Sequence, residues 1–142
     1  MNPGRRVFLL HKLPPWLWGI AIFIGTSLPG EYLPSIVVLT PDKLLHAGAF
    51  FGLTILVYRS LGAGTTDISL RRRFFTTTSL ITVGYGVFDE LHQFFVPGRR
   101  PDVVDLLADA LGVGLAIAVT AVFLAYRESK KNEFESHNAA NP

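Results

Sequence analysis

The stretch VVDLLADALGVGLAIAVTAVFLAY, residues 103–126, decides the fold class. Apart from two aspartates near its start it carries no charged side chain. At about 1.5 Å per residue it is long enough to cross about 30 Å of hydrocarbon as a helix. Because hydrocarbon offers no partner for backbone N–H and C=O groups, such a segment must be helical. The stretch therefore predicts a transmembrane helix.

Three further apolar segments precede this stretch. Only 17% of the residues are charged and 49% are hydrophobic, whereas an average soluble domain is about 25% charged. We therefore predict an all-α, polytopic membrane protein in which residues 1–126 form a four-helix transmembrane bundle. The predicted helices comprise about residues 13–30, 42–61, 74–96 and 102–126. We expect the polar residues 127–142 to form a frayed or disordered tail.

The distribution of basic residues predicts the orientation. Of the 13 Lys and Arg residues, all but Lys43, Arg99 and Arg100 lie at the termini or between the second and third segments. The positive-inside rule then places both termini in the cytoplasm and the first and third loops outside. A cleaved signal peptide is the competing interpretation of the first segment, but residues 20–30 offer no convincing small-x-small cleavage site.

Bulk composition also limits the partners. The net charge of +2 comes from residues at the ends of apolar segments, so no basic face for nucleic acid is predicted. The chain has no cysteine, which excludes disulfides and thiolate metal sites. The partner that the composition does predict is the lipid bilayer, and oligomerisation stays open.

Ionisable side chains gather near the predicted outer ends of three helices. With helix starts at Pro41 and Pro101, His46 lies about 7.5 Å and Asp109 about 12 Å inside the membrane, and Glu90 lies about 9 Å inside. A charged group facing lipid would cost about 2.5–3.5 kcal/mol, so these groups should turn inward. There we expect them to meet one another, Arg99 and Arg100, or water, and to form a polar pocket open to the outside. The candidate catalytic residues are His46 and Glu90, and the candidate ligand-binding residues are Asp42, Lys43, Asp89, Gln93, Arg99, Asp105 and Asp109.

Each residue type in this pocket suggests a role. Arg99 suits an anionic group, His46 and Glu90 suit proton transfer or hydrogen bonding, and Asp105 with Asp109 suits a cation or amine. We expect no tightly bound metal, because the Asp-Glu-Leu-His-Gln run lacks the His-Glu-x-x-His spacing. A divalent cation on His46, Glu90 and Asp105 or Asp109 is the alternative.

A purely structural interpretation accounts for part of the same pattern. Asp42 and Asp102 are placed to cap helices, and Lys43 is placed to anchor an interface. A buried ion-pair network would then fix the helix packing. Small residues at four-residue spacing, Gly48 and Gly52 on the second helix and 108, 112 and 116 on the fourth, predict close helix contacts.

Two motifs resemble a known family. Asp42-Lys43-Leu-Leu-His46 resembles the Asp-Lys-x-x-His signature of the VanZ-like family of bacterial membrane proteins. The run from Asp89-Glu90-Leu-His-Gln93 to Pro97-Gly98-Arg99 resembles that family's second signature. The resemblance extends from about residue 41 to 114. It implies a small multi-pass protein of the bacterial plasma membrane with a role at the cell envelope, and the family's namesake is associated with glycopeptide resistance, chiefly to teicoplanin.

Two positions depart from the family pattern. Asp109 stands where many relatives have Asn, and Asp102 stands where a small hydroxyl residue is common. Each adds a negative charge, and both shift the predicted pocket toward cation binding.

Three functions remain open from the sequence. The first is an envelope protein that engages a cell-wall precursor or another lipid-linked ligand, with a role in teicoplanin tolerance. The second is a membrane hydrolase or transferase acting on a lipid or polyprenyl phosphate. The third is a transporter or channel subunit, which would need carboxylates that continue toward the inner face, where the predicted helices carry only hydroxyls. Whether the chain is an enzyme stays open.

Overall fold

The computed structural model describes residues 2–29, 42–62, 65 and 67–140. Within those residues the chain forms helices and turns and no strand. The helices are α1 (Pro3–Ser27), α2 (Asp42–Gly62), α3 (Ile68–Gln93) and α4 (Val103–Ala140). The all-α prediction is thus confirmed. The predicted end of the first helix near residue 30 and the predicted start of the second at Pro41 lie outside the described residues.

Three of these helices are long and apolar enough to cross a membrane, by length and composition. They are α1, α2 and the part of α4 from Val103 to Asn138. Helix α3 has the length but not the hydropathy, because it carries Asp89, Glu90 and three consecutive arginines from Arg71 to Arg73. The membrane character predicted from the sequence is therefore confirmed for three helices, and α3 needs its polar groups covered by protein.

Two helices begin earlier than predicted. Helix α1 begins at Pro3 and has a wider, π-helical turn at Phe8–Lys12. Helix α3 begins at Ile68 because the Asp67 side chain accepts hydrogen bonds from the backbone N–H groups of Ser69 (2.7 Å) and Leu70 (3.3 Å). The Ser69 hydroxyl and these two N–H donors lower the pKa of Asp67.

The C-terminal segment is helical, so the prediction of a frayed or disordered tail was wrong. Helix α4 continues to Ala140. Beyond the apolar part, Lys130 pairs with Glu133 at 2.8 Å and Lys131 with Glu135 at 3.6 Å. Opposite charges three and four residues apart lie on one face of a helix and stabilise it, which the polar composition alone does not reveal.

The start of α4 lies one residue after the predicted start at 102. Pro101 precedes the helix, which begins at Val103. Asp102 is the cap, since its side chain accepts a hydrogen bond from the Val104 N–H at 2.8 Å. Gly98, with a φ of 78°, supplies the left-handed residue in the turn that joins α3 to α4.

Side-chain contacts between helices show which helices run parallel and which run antiparallel. Lys12 bonds to Ser60 and Trp18 to Ala49, so α1 and α2 are antiparallel. Phe50 packs on Tyr85 and Tyr58 on Phe75, so α2 and α3 are antiparallel as well. Contacts of Lys43 with Asp105 and His46 with Asp109 make α2 and α4 parallel. The start of α2, the end of α3 and the start of α4 therefore lie at one end of the molecule, which we call the His46 end.

Helix α2 lies at the centre of the packing, with Phe50 and Leu53 against Val113 of α4. A Cβ atom at Gly112 would lie 2.2 Å from the Ala47 carbonyl oxygen, so only glycine fits there. The predicted close contact through residue 112 is thus confirmed. Gly52 lies against Trp18, with a Cβ position 3.2 Å from its ring, whereas Gly48 faces open space and its predicted packing role was wrong.

Candidate functional site

A histidine–aspartate pair joins α2 to α4. His46 Nδ1 lies 3.0 Å from Asp109 Oδ1, and the two side chains are 10% and 1% exposed. Asp109 lies one turn before Gly112, so the close approach of α4 to Ala47 brings the pair together. The other ring nitrogen of His46 lies 4.0 Å from Asp42, whose side chain is exposed. His46 therefore lies next to a carboxylate in the structure, as the sequence predicted.

Glu90 links α3 to the start of α4. Its Oε2 accepts a hydrogen bond from the Asp102 N–H at 2.9 Å, and its Oε1 accepts one from Gln93 Nε2 at 3.2 Å. Glu90 and Gln93 are both buried. The carboxylate therefore occupies a fixed position between two helices.

Lys43 neutralises two carboxylates of α4. Its ammonium lies 2.6 Å from Asp105 and 3.0 Å from Asp102. Asp102 lies in the loop before α4. Its pKa is lowered mainly by the hydrogen bond from the Val104 N–H and, to a smaller extent, by the hydrogen bond from Lys43. We predicted a shared cation or amine for Asp105 and Asp109, but the two have separate partners, Lys43 and His46, because they lie one turn apart on α4.

Asp89 faces α1. Its Oδ1 accepts a hydrogen bond from the Thr26 hydroxyl at 2.7 Å. Its Oδ2 has no hydrogen-bond partner among the described residues, although Asp89 is 0% exposed. Thr26 was missed at the sequence level, since a single hydroxyl in an apolar helix costs little and gives no signal. A position one turn from the end of the first apolar segment is the cue that would have found it.

Contrary to our expectation, Arg99 pairs with none of the carboxylates in the described part of the chain. Its Nε and Nη2 donate to the carbonyls of Leu28 (3.2 Å) and Gly25 (3.5 Å) at the end of α1. The last carbonyls of a helix lack partners within the helix and attract cations, which explains this choice. Arg100 is exposed.

A cavity of about 320 Å³ lies between α1 and α2 at the His46 end. Its polar lining consists of Thr26, Asp42, His46 and Arg99, and its other walls are largely apolar, among them Phe50. Glu90, Gln93 and Asp109 are not among its lining residues. The candidate residues thus divide into a group at the cavity and a group behind His46.

Toward the opposite end, the buried polar side chains in the described part of the chain are hydroxyls. The buried Thr54 and Thr82 and the partly buried Thr120 donate to carbonyls four residues earlier in their own helices. Asp89 and Asp109 are the buried carboxylates nearest to that end among the described residues. This arrangement supplies no chain of ionisable groups of the kind that a transporter would need.

Comparison with known proteins identifies the family. The model of the VanZ/LLP1 family matches residues 27–124. The chain belongs to this family. An uncharacterized protein of Schizosaccharomyces pombe is 32% identical to the VanZ/LLP1 chain over 114 residues, which cover 78% of this chain and 67% of the yeast protein. No solved structure matches the VanZ/LLP1 chain described here.

The VanZ/LLP1 match includes every candidate site residue predicted from the sequence. Thr26 lies one residue before the matched region, so the family match does not mark it either. Its assignment to the site depends on the structure alone, through its hydrogen bond to Asp89 and its place in the cavity wall.

Proposed function

We propose that this VanZ/LLP1 chain is a multi-pass protein of the bacterial plasma membrane that binds the anionic head group of a lipid-linked ligand in the cavity at the His46 end. Arg99 takes the anion. His46 and Asp42 hold polar groups beside it, and the apolar walls hold the start of the lipid chain. Of the other predicted ligand-binding residues, Asp109 fixes His46 and Gln93 fixes Glu90. Lys43 and Asp105 join α2 to α4, and Asp89 holds Thr26 in the cavity wall.

The observation that carries the proposal is that Arg99 and His46 both line one cavity whose other walls are largely apolar. Arg99 has five N–H donors, and the described residues take up its Nε and one N–H of Nη2. The remaining donors suit a phosphate or carboxylate, which planar guanidinium groups bind with two parallel hydrogen bonds. An apolar wall beside a cation is the pattern that an amphiphile requires.

The proposed topology has four spans, with both termini in the cytoplasm and the His46 end outside. Helix α3 counts as a span because Asp89 and Glu90 are buried against neighbouring helices. Labelling of Arg100→Cys and Ser136→Cys with a membrane-impermeant maleimide in intact cells tests this orientation, since the chain has no native cysteine. We expect the first variant to be labelled and the second to be protected; the reverse pattern would refute the orientation.

The binding experiment compares a polyprenyl phosphate with the uncharged polyprenol of the same length, using the purified full chain in nanodiscs. Wild type should bind the phosphate at least about tenfold more tightly, as one charge-assisted contact predicts. Arg99→Gln should lose this preference, whereas Arg100→Gln, which removes the neighbouring exposed arginine, should keep it. Equal binding of the two lipids by wild type, or equal loss in both variants, would contradict the proposal.

We further propose that ligand binding in this cavity contributes to glycopeptide tolerance in the cell. A host that lacks the native gene should gain protection against teicoplanin from wild type and from Arg100→Gln, but not from Arg99→Gln at matched membrane levels. Protection by Arg99→Gln equal to wild type would separate the cavity from the tolerance.

A membrane hydrolase or transferase acting on a lipid phosphate is the second candidate function. The His46–Asp109 pair at 3.0 Å favours it, because a carboxylate that orients an imidazole is a common general acid–base arrangement. A relative in Schizosaccharomyces pombe also favours a ligand that is not confined to the bacterial wall. Release of inorganic phosphate from the polyprenyl phosphate, abolished in His46→Gln, would support this activity.

A further inference from the structure

Three potential metal ligands converge behind the cavity from three helices. His46 of α2, Glu90 of α3 and Asp109 of α4 each offer one ligand atom, and these atoms lie within 4.8 Å of one another. The residues are 9%, 7% and 1% exposed. Two donors on a single ion lie at most about 4.4 Å apart, so small side-chain rotations suffice to close this trio around a cation.

The charges around the trio are unbalanced. Among the described residues no lysine or arginine pairs with Glu90 or Asp109, since Lys43 is held by Asp105 and Arg99 by carbonyls. Burying a carboxylate without a cation or a full set of hydrogen bonds is costly. In the described structure, the imidazole of His46 hydrogen-bonds to Asp109, and its ligand atom lies within 4.8 Å of that of Glu90.

One oxygen of the trio lacks a hydrogen-bond partner. Asp109 Oδ2 has none among the described residues, although its side chain is 1% exposed. It faces Gly86, where a Cβ atom would lie 3.1 Å from it. Gly86 lies one turn from Glu90 on the same face of α3, so the free oxygen points to the side of α3 that carries the second carboxylate.

We propose that His46, Glu90 and Asp109 form a binding site for a divalent first-row transition metal, such as Mn²⁺ or Zn²⁺. One imidazole with two carboxylates suits these ions better than Mg²⁺ or Ca²⁺, which prefer oxygen ligands alone. Three protein ligands leave coordination positions for water or for a group in the cavity. The proposal does not depend on the lipid-linked ligand.

The sequence alone argued against a metal because it contains no local metal-binding motif. The trio has no such motif, since each ligand comes from a different helix. The competing interpretation is a network in which the carboxylates are protonated and hydrogen-bonded. A network of that kind predicts no stoichiometric metal binding, so metal binding separates the two interpretations directly.

The test uses the full chain purified in detergent and stripped with a chelator. After addition of Zn²⁺ or Mn²⁺ and desalting, elemental analysis should find about one ion per chain. Glu90→Gln and Asp109→Asn keep the side-chain shape and should each raise the Kd at least about tenfold. Asp102→Asn is the matched control: it removes a carboxylate at the same end of α4 that lies outside the trio and pairs with Lys43, can still cap α4, and should bind the metal as wild type does.

Three outcomes would overturn the proposal: no stoichiometric metal in wild type, unchanged binding in both variants, or equal loss in Asp102→Asn. A second measurement needs no variant to fold. Pulsed electron paramagnetic resonance of Mn²⁺-loaded wild type should reveal coupling to an imidazole nitrogen, and its absence would exclude His46 as a ligand and overturn the site. Neither measurement involves the lipid, so failure here leaves the cavity proposal to its own test.

Discussion

At the His46 end, a histidine and several carboxylates of α2, α3 and α4 are buried, whereas at the opposite end the charged side chains are exposed or only partly buried. His46, Glu90 and Asp109 are buried. At the other end Arg71 pairs with Glu128 of α4, and the neighbouring arginines at 72 and 73 are exposed. Buried charges cost free energy that surface charges do not. The His46 end is therefore where the chain gives up stability, which is the usual mark of a functional region in a membrane protein.

The largest effect is expected where α2 and α4 touch. Gly112→Ala would place a methyl group 2.2 Å from the Ala47 carbonyl oxygen, and neither backbone can move without separating His46 from Asp109. We expect a loss of about 3 kcal/mol or more in stability, measured as a lower melting temperature and a lower yield of monodisperse protein.

Gly114→Ala is the matched control for this substitution. A Cβ atom there meets nothing within 4 Å, so the melting temperature should be unchanged or slightly higher, because alanine favours a helix over glycine. If the two substitutions were equally harmful, the loss would reflect α4 as a whole and not its contact with α2.

An intermediate effect is expected at Thr26. Thr26→Val removes the hydrogen bond to Asp89 and leaves a buried carboxyl without its donor, at a cost of about 1–3 kcal/mol. Thr26→Ser keeps the hydroxyl and should stay close to wild type. Thr120→Val is the comparison in the other half of the molecule, where the hydroxyl bonds only to its own helix. A thermal shift as large for Thr120→Val as for Thr26→Val would remove the proposed contrast between the two halves.

The smallest effect is expected at the end of the molecule opposite the His46 end, where Arg71 pairs with Glu128. Glu128→Gln weakens an ion pair whose glutamate is 43% exposed. The Arg71 side chain is 14% exposed, but water that reaches Glu128 weakens the pair, so the melting temperature should fall by less than in Thr26→Val. A loss as large as in Thr26→Val would show that this end is also built on a buried charge.

The sequence predicted that His46, Glu90 and Asp109 lie at a common level along their helices, and the structure brings them together; the sequence did not predict their partners. The rise per residue of a helix is fixed, so counting from the helix ends placed His46, Glu90 and Asp109 at similar levels. Which side chains meet depends also on the rotation of each helix about its axis, and the sequence pattern does not determine that rotation. For this reason Asp105 and Asp109 were assigned one partner, and Arg99 was expected among carboxylates.

The errors at the helix ends have local causes. Asp67 and Asp102 set the starts of α3 and α4 through hydrogen bonds to backbone N–H groups. The pairs formed by Lys130 and Lys131 extend α4 beyond its apolar part. Hydropathy detects the part of a helix that crosses hydrocarbon, so it underestimates helices that continue into water.

The contact between Gly112 and Ala47 divides the cavity into a fixed wall and a yielding wall. Because two backbones touch there, α2 and α4 must move as one body, and the distance between His46 and Asp109 is insensitive to what occupies the cavity. Helix α1, which forms the facing wall, has no buried residue in its apolar part. Ligands of different girth would thus be accommodated by displacement of α1, and the hydrogen bonds from Arg99 to Gly25 and Leu28 would be the first to break.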